Sequence, residues 1–144
     1  MDDLDKSLLA ELGRDARQSL AVLARRLGVA RTTLQARLER LERRGVIAGY
    51  TIVPGERFAK GRLRATVLLQ IEPRANAQVL RRLEAIPEVE SAHTTSGRFD
   101  LILRLATDTT EELDRTLDEI GAIPGVRNSE SLVHLATRIS RAPG

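Results

Sequence analysis

Residues 19–45 have the sequence SLAVLARRLGVARTTLQARLERLERRG, which predicts two short helices separated by a turn. Ser19 suits the N-cap of the first helix, because its hydroxyl can accept a hydrogen bond from a first-turn amide. Gly28 supplies the turn, and the second helix is predicted from about Arg31 to Arg44, with Gly45 ending it. Leucines recur every three or four residues, so each helix has one apolar face. Together these elements predict a helix-turn-helix.

One more helix is predicted before this motif. Leucines at helical spacing lie between residues 4 and 12. Asp2, Asp3 and Asp5 stand at its start, where the helix dipole favours negative charge. Gly13 is expected to end it. Residues 1–50 are therefore predicted to form a helix-turn-helix domain of three helices.

Basic charge is concentrated in the same region. The chain has 23 basic and 20 acidic residues, and 21 of the basic residues are arginine. Residues 14–44 contain nine arginines and three carboxylates, whereas residues 61–144 contain 11 basic and 12 acidic residues. A basic segment beside a nearly neutral one predicts a polyanionic partner for the first and another task for the second. On charge alone, a solvated helix face with ion pairs explains the basic segment equally well.

The side of the second helix opposite its leucines is polar and basic. Recognition helices contact base edges mainly through their amino-terminal residues, and guanidinium, hydroxyl, amide and methyl groups can all read bases. Arginines further along the helix suit phosphates. The candidate DNA-contacting residues are Arg26, Arg31, Thr32, Thr33, Gln35, Ala36, Arg37, Arg40 and Arg43. A bare three-helix bundle explains the leucines, but not exposed arginines around a glycine turn.

Double-stranded DNA is the expected partner of this domain. The chain has three aromatic residues, Tyr50, Phe58 and Phe99. Proteins that bind single strands stack bases on aromatic side chains, so the shortage of aromatics argues against that class.

The second half of the chain predicts a duplicated strand–helix–strand unit. Aliphatic residues alternate from Leu63 to Glu72, which indicates a strand. The motif Ala-Ile-Pro-x-Val occurs at 85–89 and again at 122–126, 37 residues later, each time after a predicted helix. Further strands are expected up to about Thr95, from 101 to 106 and from about 126 to 135. The resulting order, βαββαβ, is the ferredoxin-like arrangement, so the chain is α+β.

Three further expectations concern this half. Thr109 and Glu112 have the spacing of a capping box at the second helix. Leu68 and Ile102 lie on the opposite phase from the predicted core residues, which predicts that the other sheet face is buried in a dimer. An extended linker is expected over residues 51–61, with Pro54, Gly55, Lys60 and Gly61 as its hinge, and the ferredoxin-like domain over residues 62–144.

Composition excludes several classes of protein. The chain has no cysteine, which removes disulfides and thiolate catalysis and fits a reducing compartment. It has no apolar run near the roughly 18 residues of a membrane helix, and its acidic start is unlike a secretory signal. Its two histidines, His93 and His134, are 41 residues apart, and no phosphate loop or Gly-x-Ser-x-Gly motif occurs. We therefore expect a cytoplasmic protein that is not an enzyme, needs no cofactor or metal and does not contact membranes.

Five short stretches occur in the order and spacing of the Lrp/AsnC (feast/famine) transcriptional regulators, which the chain resembles over about residues 3–140. They are Leu4-Asp5, Leu27-Gly28-Val29, Arg37-Leu38-Glu39-Arg40-Leu41-Glu42, Gly45-Val46-Ile47-Ala48-Gly49-Tyr50 and Gly97-Arg98-Phe99-Asp100. The resemblance implies a winged helix-turn-helix followed by a RAM (ACT-like) domain. It also implies homodimers that assemble into octamers or other higher forms and bind DNA near promoters.

The resemblance further implies that a small effector, usually an amino acid, binds between dimers beside the Gly-x-x-Asp turn. The positions that carry over are Thr94, Ser96, Gly97, Asp100, Val133 and His134. The chemistry agrees, because Asp100 can receive an ammonium group and the backbone around Gly97 can receive a carboxylate. The alternative is that Gly97 only makes a tight turn and Asp100 caps its amides.

The chain departs from the family pattern at two places. Relatives commonly begin the recognition helix with Ser-Pro, whereas this chain has Ala30-Arg31 and so loses a cap of roughly 0.5–2 kcal/mol. His134 stands where an aliphatic residue is common, which predicts an altered pocket or pH sensitivity. Two other functions stay open: an architectural nucleoid-type DNA binder, and a sirohaem decarboxylase of related architecture, against which the arginine-rich helix argues.

Overall fold

The computed structural model describes residues 1–59 and 62–141, which divide into two compact units. The first unit comprises residues 1–54 together with residues 139–141, and the second comprises residues 55–138. The first unit thus runs four residues beyond the predicted end at residue 50. A short helix, α4 (Glu56–Ala59), lies within the stretch predicted to be extended. The predicted hinge residues Lys60 and Gly61, and the last three residues of the predicted second domain, lie outside the described residues.

Three helices form the first unit. They are α1 (Asp3–Arg14), α2 (Leu20–Leu27) and α3 (Arg31–Arg43). Ser19 caps α2 as predicted, accepting a hydrogen bond from the amide of Val22 at 3.2 Å. Gly28 ends α2 in the left-handed conformation, at φ +68°. The prediction for α1 was one residue short, because Gly13 is helical and the helix continues to Arg14.

One leucine from each helix is fully buried at the centre of this unit. Leu8, Leu23 and Leu34 each have 0% exposure. Val29, Leu38 and Ile47 pack around them while remaining partly exposed. The leucine stripes predicted from spacing are therefore the core of the helix-turn-helix, which holds α3 with its other side in solvent.

The second unit is a four-stranded antiparallel sheet with two helices. Its elements are β1 (Leu63–Ile71), a 3-10 turn (Pro73–Ala75), α5 (Asn76–Glu84), β2 (Val89–Thr94), β3 (Leu101–Thr107), α6 (Thr110–Gly121) and β4 (Val126–Val133). The strand order is β2-β3-β1-β4, and all neighbours are antiparallel. This is the predicted βαββαβ fold. Strand β4 ends two residues earlier than expected, at Val133.

Alternation along β1 separates the two faces of the sheet. Ala65, Val67 and Leu69 are buried against the helices, with at most 1% exposure. Leu68 and Ile102 pair across β1 and β3 on the other face and are half-buried in the single chain. Burial of that face in a dimer stays a prediction.

The capping box predicted for α6 is only half formed. Thr109 accepts a hydrogen bond from the amide of Glu112 at 3.1 Å, as expected. The Glu112 carboxylate, however, bonds the amide of Asp108 at 3.1 Å, one residue before the N-cap. A complete capping box occurs instead at α1, where Asp2 and Asp5 each accept a hydrogen bond from the other's amide.

The two Ala-Ile-Pro-x-Val copies differ at one position for a steric reason. The first copy has Glu88 there, and the second has Gly125 at φ +103°. A Cβ on Gly125 would collide with the Cβ of Ala75 and lie 3.3 Å from Cγ2 of Val79. The carbonyl of Gly125 also accepts a hydrogen bond from the amide of Glu72 at 2.8 Å. The second copy is therefore packed against the 3-10 turn, and only glycine fits.

Replacing Gly125 by alanine should lower the free energy of unfolding by about 2–4 kcal/mol, because backbone strain and the clash with Ala75 add. Urea denaturation measures this loss. Gly97→Ala is a matched control, since Gly97 has φ +106° and no heavy atom within 4 Å of the added Cβ. It should cost about 1–2 kcal/mol, from the strain alone. Equal losses in the two variants would contradict the packing argument.

Candidate DNA-binding surface and effector site

The first turn and a half of α3 is open to solvent except at Leu34, which belongs to the core. Arg31, Thr32, Thr33, Gln35 and Ala36 are all exposed. The N-cap residue of the helix is Ala30, which has extended backbone and makes no side-chain capping hydrogen bond, so the lost cap predicted from the sequence is confirmed. The first amides of a helix have no partner within it. This end of α3 therefore presents uncapped backbone donors beside a guanidinium, two hydroxyls, an amide and a methyl group.

The two arginines at the middle of α3 contact the start of α1. Arg40 Nη2 lies 3.1 Å from Asp5 Oδ2, and Arg37 Nη1 lies 3.4 Å from Asp5 Oδ1. Arg37 also pairs with Asp2. Sequence reasoning assigned Arg37 and Arg40 to DNA and missed these partners. The contacts arise because α1 packs on α3 and brings its carboxylates against the two guanidiniums.

The Asp2 carboxylate belongs to the same network. It accepts a hydrogen bond from the Asp5 amide at 2.9 Å. This bond, and then the Arg37 guanidinium, lower the pKa of Asp2 to about 2. The carboxylate therefore remains ionised, and paired with Arg37, well into the acid range.

A second ion-pair group joins α1 to α2. Arg26 Nη1 lies 3.3 Å from Glu11 Oε2, and Arg14 contacts the same oxygen. The hydrogen bond from Arg14 is the largest cause that lowers the pKa of Glu11. Arg26 keeps 49% of its side chain exposed, so it is paired and yet accessible.

The remaining arginines of this face are exposed and make no ion pair with any side chain that the structure describes. They are Arg25, Arg31, Arg43 and Arg44. Arg31 begins α3, and Arg43 and Arg44 lie at its end. These guanidiniums need no other contact to be broken before they bind an anion.

The turn between β2 and β3 contains the Gly-x-x-Asp motif. Gly97 has φ +106°, which an L side chain would strain. The Thr95 amide donates to the Asp100 carbonyl at 3.0 Å, and the Thr95 hydroxyl donates to the Phe99 carbonyl at 2.8 Å. Ser96 is exposed in this turn. The glycine therefore has a conformational role whether or not a ligand binds.

Asp100 has a structural hydrogen bond of its own. Its Oδ2 accepts from the Ile71 amide at 2.7 Å, and its own amide donates to the Leu69 carbonyl at 2.8 Å. The amide that it caps belongs to β1, where the register with β4 shifts, and not to the turn as the alternative interpretation held. The carboxylate is exposed overall and can still take a second partner.

Two clefts adjoin Asp100. One has a volume of about 300 Å³, and its lining includes Thr94, Glu72 and Asn76. The other has a volume of about 540 Å³, and its lining includes Gln70, Arg98, Arg127 and Asn128. The larger cleft is thus lined by two arginines and one aspartate. The Arg98 guanidinium lies 5.3 Å from the centroid of the Phe99 ring, and Arg127 Nε lies 3.3 Å from Glu72 Oε1. Arg98 and Arg127 were not among the predicted site residues, although Arg98 lies inside the quoted motif.

Val133 and His134 lie at the opposite end of β1. The His134 amide donates to the Arg64 carbonyl at 2.9 Å, and its Nε2 lies 2.8 Å from the Thr66 hydroxyl. Asp100 is bonded to Leu69, which lies five residues beyond Arg64 along β1. The two contact points on this strand are therefore about 17 Å apart. Within one chain, the six predicted effector residues therefore form two groups and not one site.

Neither a metal centre nor a membrane span is found in the described parts of the chain. Over residues 1–59 and 62–141, no three His, Asp or Glu side chains are grouped to hold a metal ion. In the same residues, no helix combines the length and apolarity needed to cross a bilayer.

Known proteins match both units. A model of winged helix-turn-helix DNA-binding domains matches residues 1–48, and a model of the Lrp/AsnC ligand binding domain matches residues 64–143. An HTH-type transcriptional regulator of Pyrococcus horikoshii is 31% identical over 141 residues, which are 95% of this chain and 94% of that protein. The regulator LysM of Saccharolobus solfataricus is 30% identical over 138 residues, 95% of each chain.

Solved structures also match nearly the whole of this chain. Escherichia coli AsnC superposes with a TM-score of 0.88 at 24% identity and covers 98% of this chain and 96% of its own. The feast or famine regulatory protein of Mycobacterium tuberculosis, solved in complex with L-methionine, superposes with a TM-score of 0.84 at 32% identity over 99% of both chains.

A helix-turn-helix unit joined to a ligand-binding α/β unit defines a class of transcriptional regulators. This chain belongs to the Lrp/AsnC family of that class, as the five sequence stretches predicted.

Restoring a cap at α3 should stabilise the first unit. Ala30→Ser places a hydroxyl where the backbone is already extended, so the free energy of unfolding should rise by about 0.5–2 kcal/mol. Ala36→Ser is a control inside the same helix, where serine has no amide to cap and should cost about 0.5 kcal/mol. Thermal unfolding followed by circular dichroism compares the two variants. A lower melting temperature for Ala30→Ser would show that this end of α3 is satisfied in another way.

Proposed function

We propose that this regulator binds specific double-stranded DNA sequences and that a small effector, an amino acid, changes its DNA binding or its assembly. The observation that carries the DNA-binding part is the exposed start of α3, where five side chains suited to base edges project from an uncapped helix. The arginines that make no described ion pair extend from this end to Arg43 and Arg44.

In this proposal α3 enters the major groove with its first turn foremost. Gln35 suits adenine, Arg31 suits guanine, and the methyl groups of Ala36 and the threonines suit thymine. Arg25, Arg43 and Arg44 bind phosphates and so position the helix without reading sequence. A smaller role in DNA binding than the sequence suggested falls to Arg26, Arg37 and Arg40, because each of them already contacts a carboxylate at α1. In a dimer, the two recognition helices would lie about 34–36 Å apart, or a multiple of that.

Removing the arginines that bind phosphate should weaken binding to every duplex. In the double variant Arg43→Ala/Arg44→Ala, the slope of log affinity against log salt should become shallower by about 0.9 for each phosphate that is no longer neutralised. Fluorescence anisotropy across a salt series measures both the affinity and the slope. The matched control is Arg81→Ala/Arg82→Ala, which removes the same charge from exposed positions on α5. Equal effects in the two double variants would show that net charge, and not α3, governs binding.

The effector part rests on the clefts beside Asp100. An amino acid has an ammonium group and a carboxylate, and the larger cleft offers Asp100 for the first and Arg98 for the second. Arg127 also lines this cleft but already pairs with Glu72 at 3.3 Å. Charge-assisted hydrogen bonds of this kind are stronger than neutral ones, and arginine grips a carboxylate with two parallel bonds. The M. tuberculosis relative solved with L-methionine supports an amino acid as the ligand class. Homodimers, and higher assemblies of them, are part of the proposal.

Asp100→Asn should separate ligand binding from folding. Asparagine can still accept the hydrogen bond from the Ile71 amide, so the unliganded melting temperature should stay close to that of the wild type. It cannot balance an ammonium charge, so amino-acid affinity should fall about tenfold or more. A thermal-shift series with L-methionine, followed by the other common amino acids, measures both effects. An unaltered ligand response would refute the role of Asp100, and a wild-type protein that responds to none of them would favour an architectural DNA binder.

A further inference from the structure

The carboxylate of Asp5 is buried beneath α3. Its residue is 1% exposed, although it carries a charge and lies near the chain start. One oxygen faces Arg37 at 3.4 Å, and the other faces Arg40 at 3.1 Å and the Asp2 amide at 3.4 Å. A buried charge is tolerated only when it is paired and hydrogen-bonded. Arg37 and Arg40 therefore cannot turn away from Asp5 without leaving it uncompensated.

This pairing divides the arginines of the recognition helix into two sets. Arg37 and Arg40 face α1 and are 27% and 38% exposed, respectively. Arg31, Arg43 and Arg44 stand at the two ends of the helix, exposed and without a described ion pair. Long flexible arginines at the middle of an exposed helix can otherwise reach phosphates on either side of a groove. The Asp5 carboxylate, with Asp2 as a second partner of Arg37, therefore determines how many guanidiniums α3 offers to DNA.

We propose that Asp5 is a positioning residue that withholds Arg37 and Arg40 from DNA phosphates and so limits sequence-independent binding. The inference rests on the DNA binding proposed above. Phosphate contacts strengthen binding to every sequence, whereas base contacts distinguish sequences. With two guanidiniums held by α1, the duplex contacts the ends of α3 and the base-reading first turn. Releasing them adds affinity that is not specific.

The test is Asp5→Asn in the full chain, with a random-sequence duplex as the probe. Asparagine can still accept the Asp2 amide, but it no longer holds two cations by charge. Arg40 loses the one carboxylate that it contacts among the described residues, whereas Arg37 keeps its ion pair with Asp2. The slope of log affinity against log salt should therefore become steeper by about 0.9 when Arg40 alone is released and by about 1.8 when Arg37 leaves Asp2 as well. At about 0.1 M salt, binding should tighten about eightfold for each additional phosphate that a released guanidinium neutralises. A role confined to stability would lower the melting temperature and leave the slope unchanged or shallower. That result would overturn the proposal.

Two variants complete the design. Asp3→Asn removes the same charge from an exposed position with no described ion pair, so its slope should match the wild type. A rise equal to that of Asp5→Asn would show that the effect is one of net charge and would overturn the proposal. Asp5→Asn/Arg37→Gln/Arg40→Gln should return the slope to the wild-type value, because the released guanidiniums are gone. A slope that stays steep would mean that other groups contact the phosphates, and would also overturn it.

A variant that preserves Asp5 covers the case in which Asp5→Asn does not fold. Arg40→Gln in the wild-type background keeps a donor for Asp5, and the proposal expects its salt slope to be unchanged. A slope that is shallower by about 0.9 would show that Arg40 contacts phosphate in the wild type, contrary to the proposal. Wild-type protein that binds no duplex would refute the DNA-binding function itself. Wild-type binding with an unchanged Asp5→Asn slope would refute this inference alone.

Discussion

A carboxylate that is removed from water must find its charges and hydrogen bonds inside the protein, and Asp5 imposes this requirement on the first unit. Its 1% exposure is possible only because α1 begins with a capping box and because Arg37 and Arg40 reach it from α3. The same contacts fix the start of α1 against the middle of the recognition helix. Leucine packing would hold the three helices together without them, but it is not directional. The ion pairs add the orientation.

Asp100 has a comparable part in the second unit. Its carboxylate bonds the Ile71 amide at 2.7 Å, two residues beyond Leu69, the last residue of β1 that pairs with β3. The hydrogen bond ties the β2–β3 turn to the end of the central strand. Asp100 therefore lies at the clefts because the sheet holds it there, which is the rigid support that a binding residue needs. A structural hydrogen bond and a ligand contact are compatible, since a carboxylate has two oxygens.

The parts of the fold that repeat with a period could be predicted, and the parts that depend on one contact between distant elements could not. Leucine spacing located α1 to α3, and alternation located the core face of β1, because burial follows the geometry of each element. Asp3 and Asp5 look alike in the sequence, yet only Asp5 is buried, since the packing of α1 on α3 decides it. The Asp2-x-x-Asp5 spacing did contain the signal of a capping box. Nothing in the local sequence distinguishes Arg40, which pairs with Asp5, from Arg43, which is exposed and makes no described ion pair.

The register of β1 has the largest consequence for effector binding. Asp100 is bonded to Leu69 and His134 to Arg64, so the two groups of predicted effector residues are about 17 Å apart along one strand. That distance exceeds the length of an amino acid, and a single chain therefore cannot offer both groups to one ligand. If both groups contact the effector, they must come from different copies of the chain. The ligand would then bind an assembly better than its separate parts, and by linkage it would stabilise that assembly by the same free energy. Effector affinity and oligomeric state are in that case one equilibrium, whose coupling does not require the fold of either unit to change.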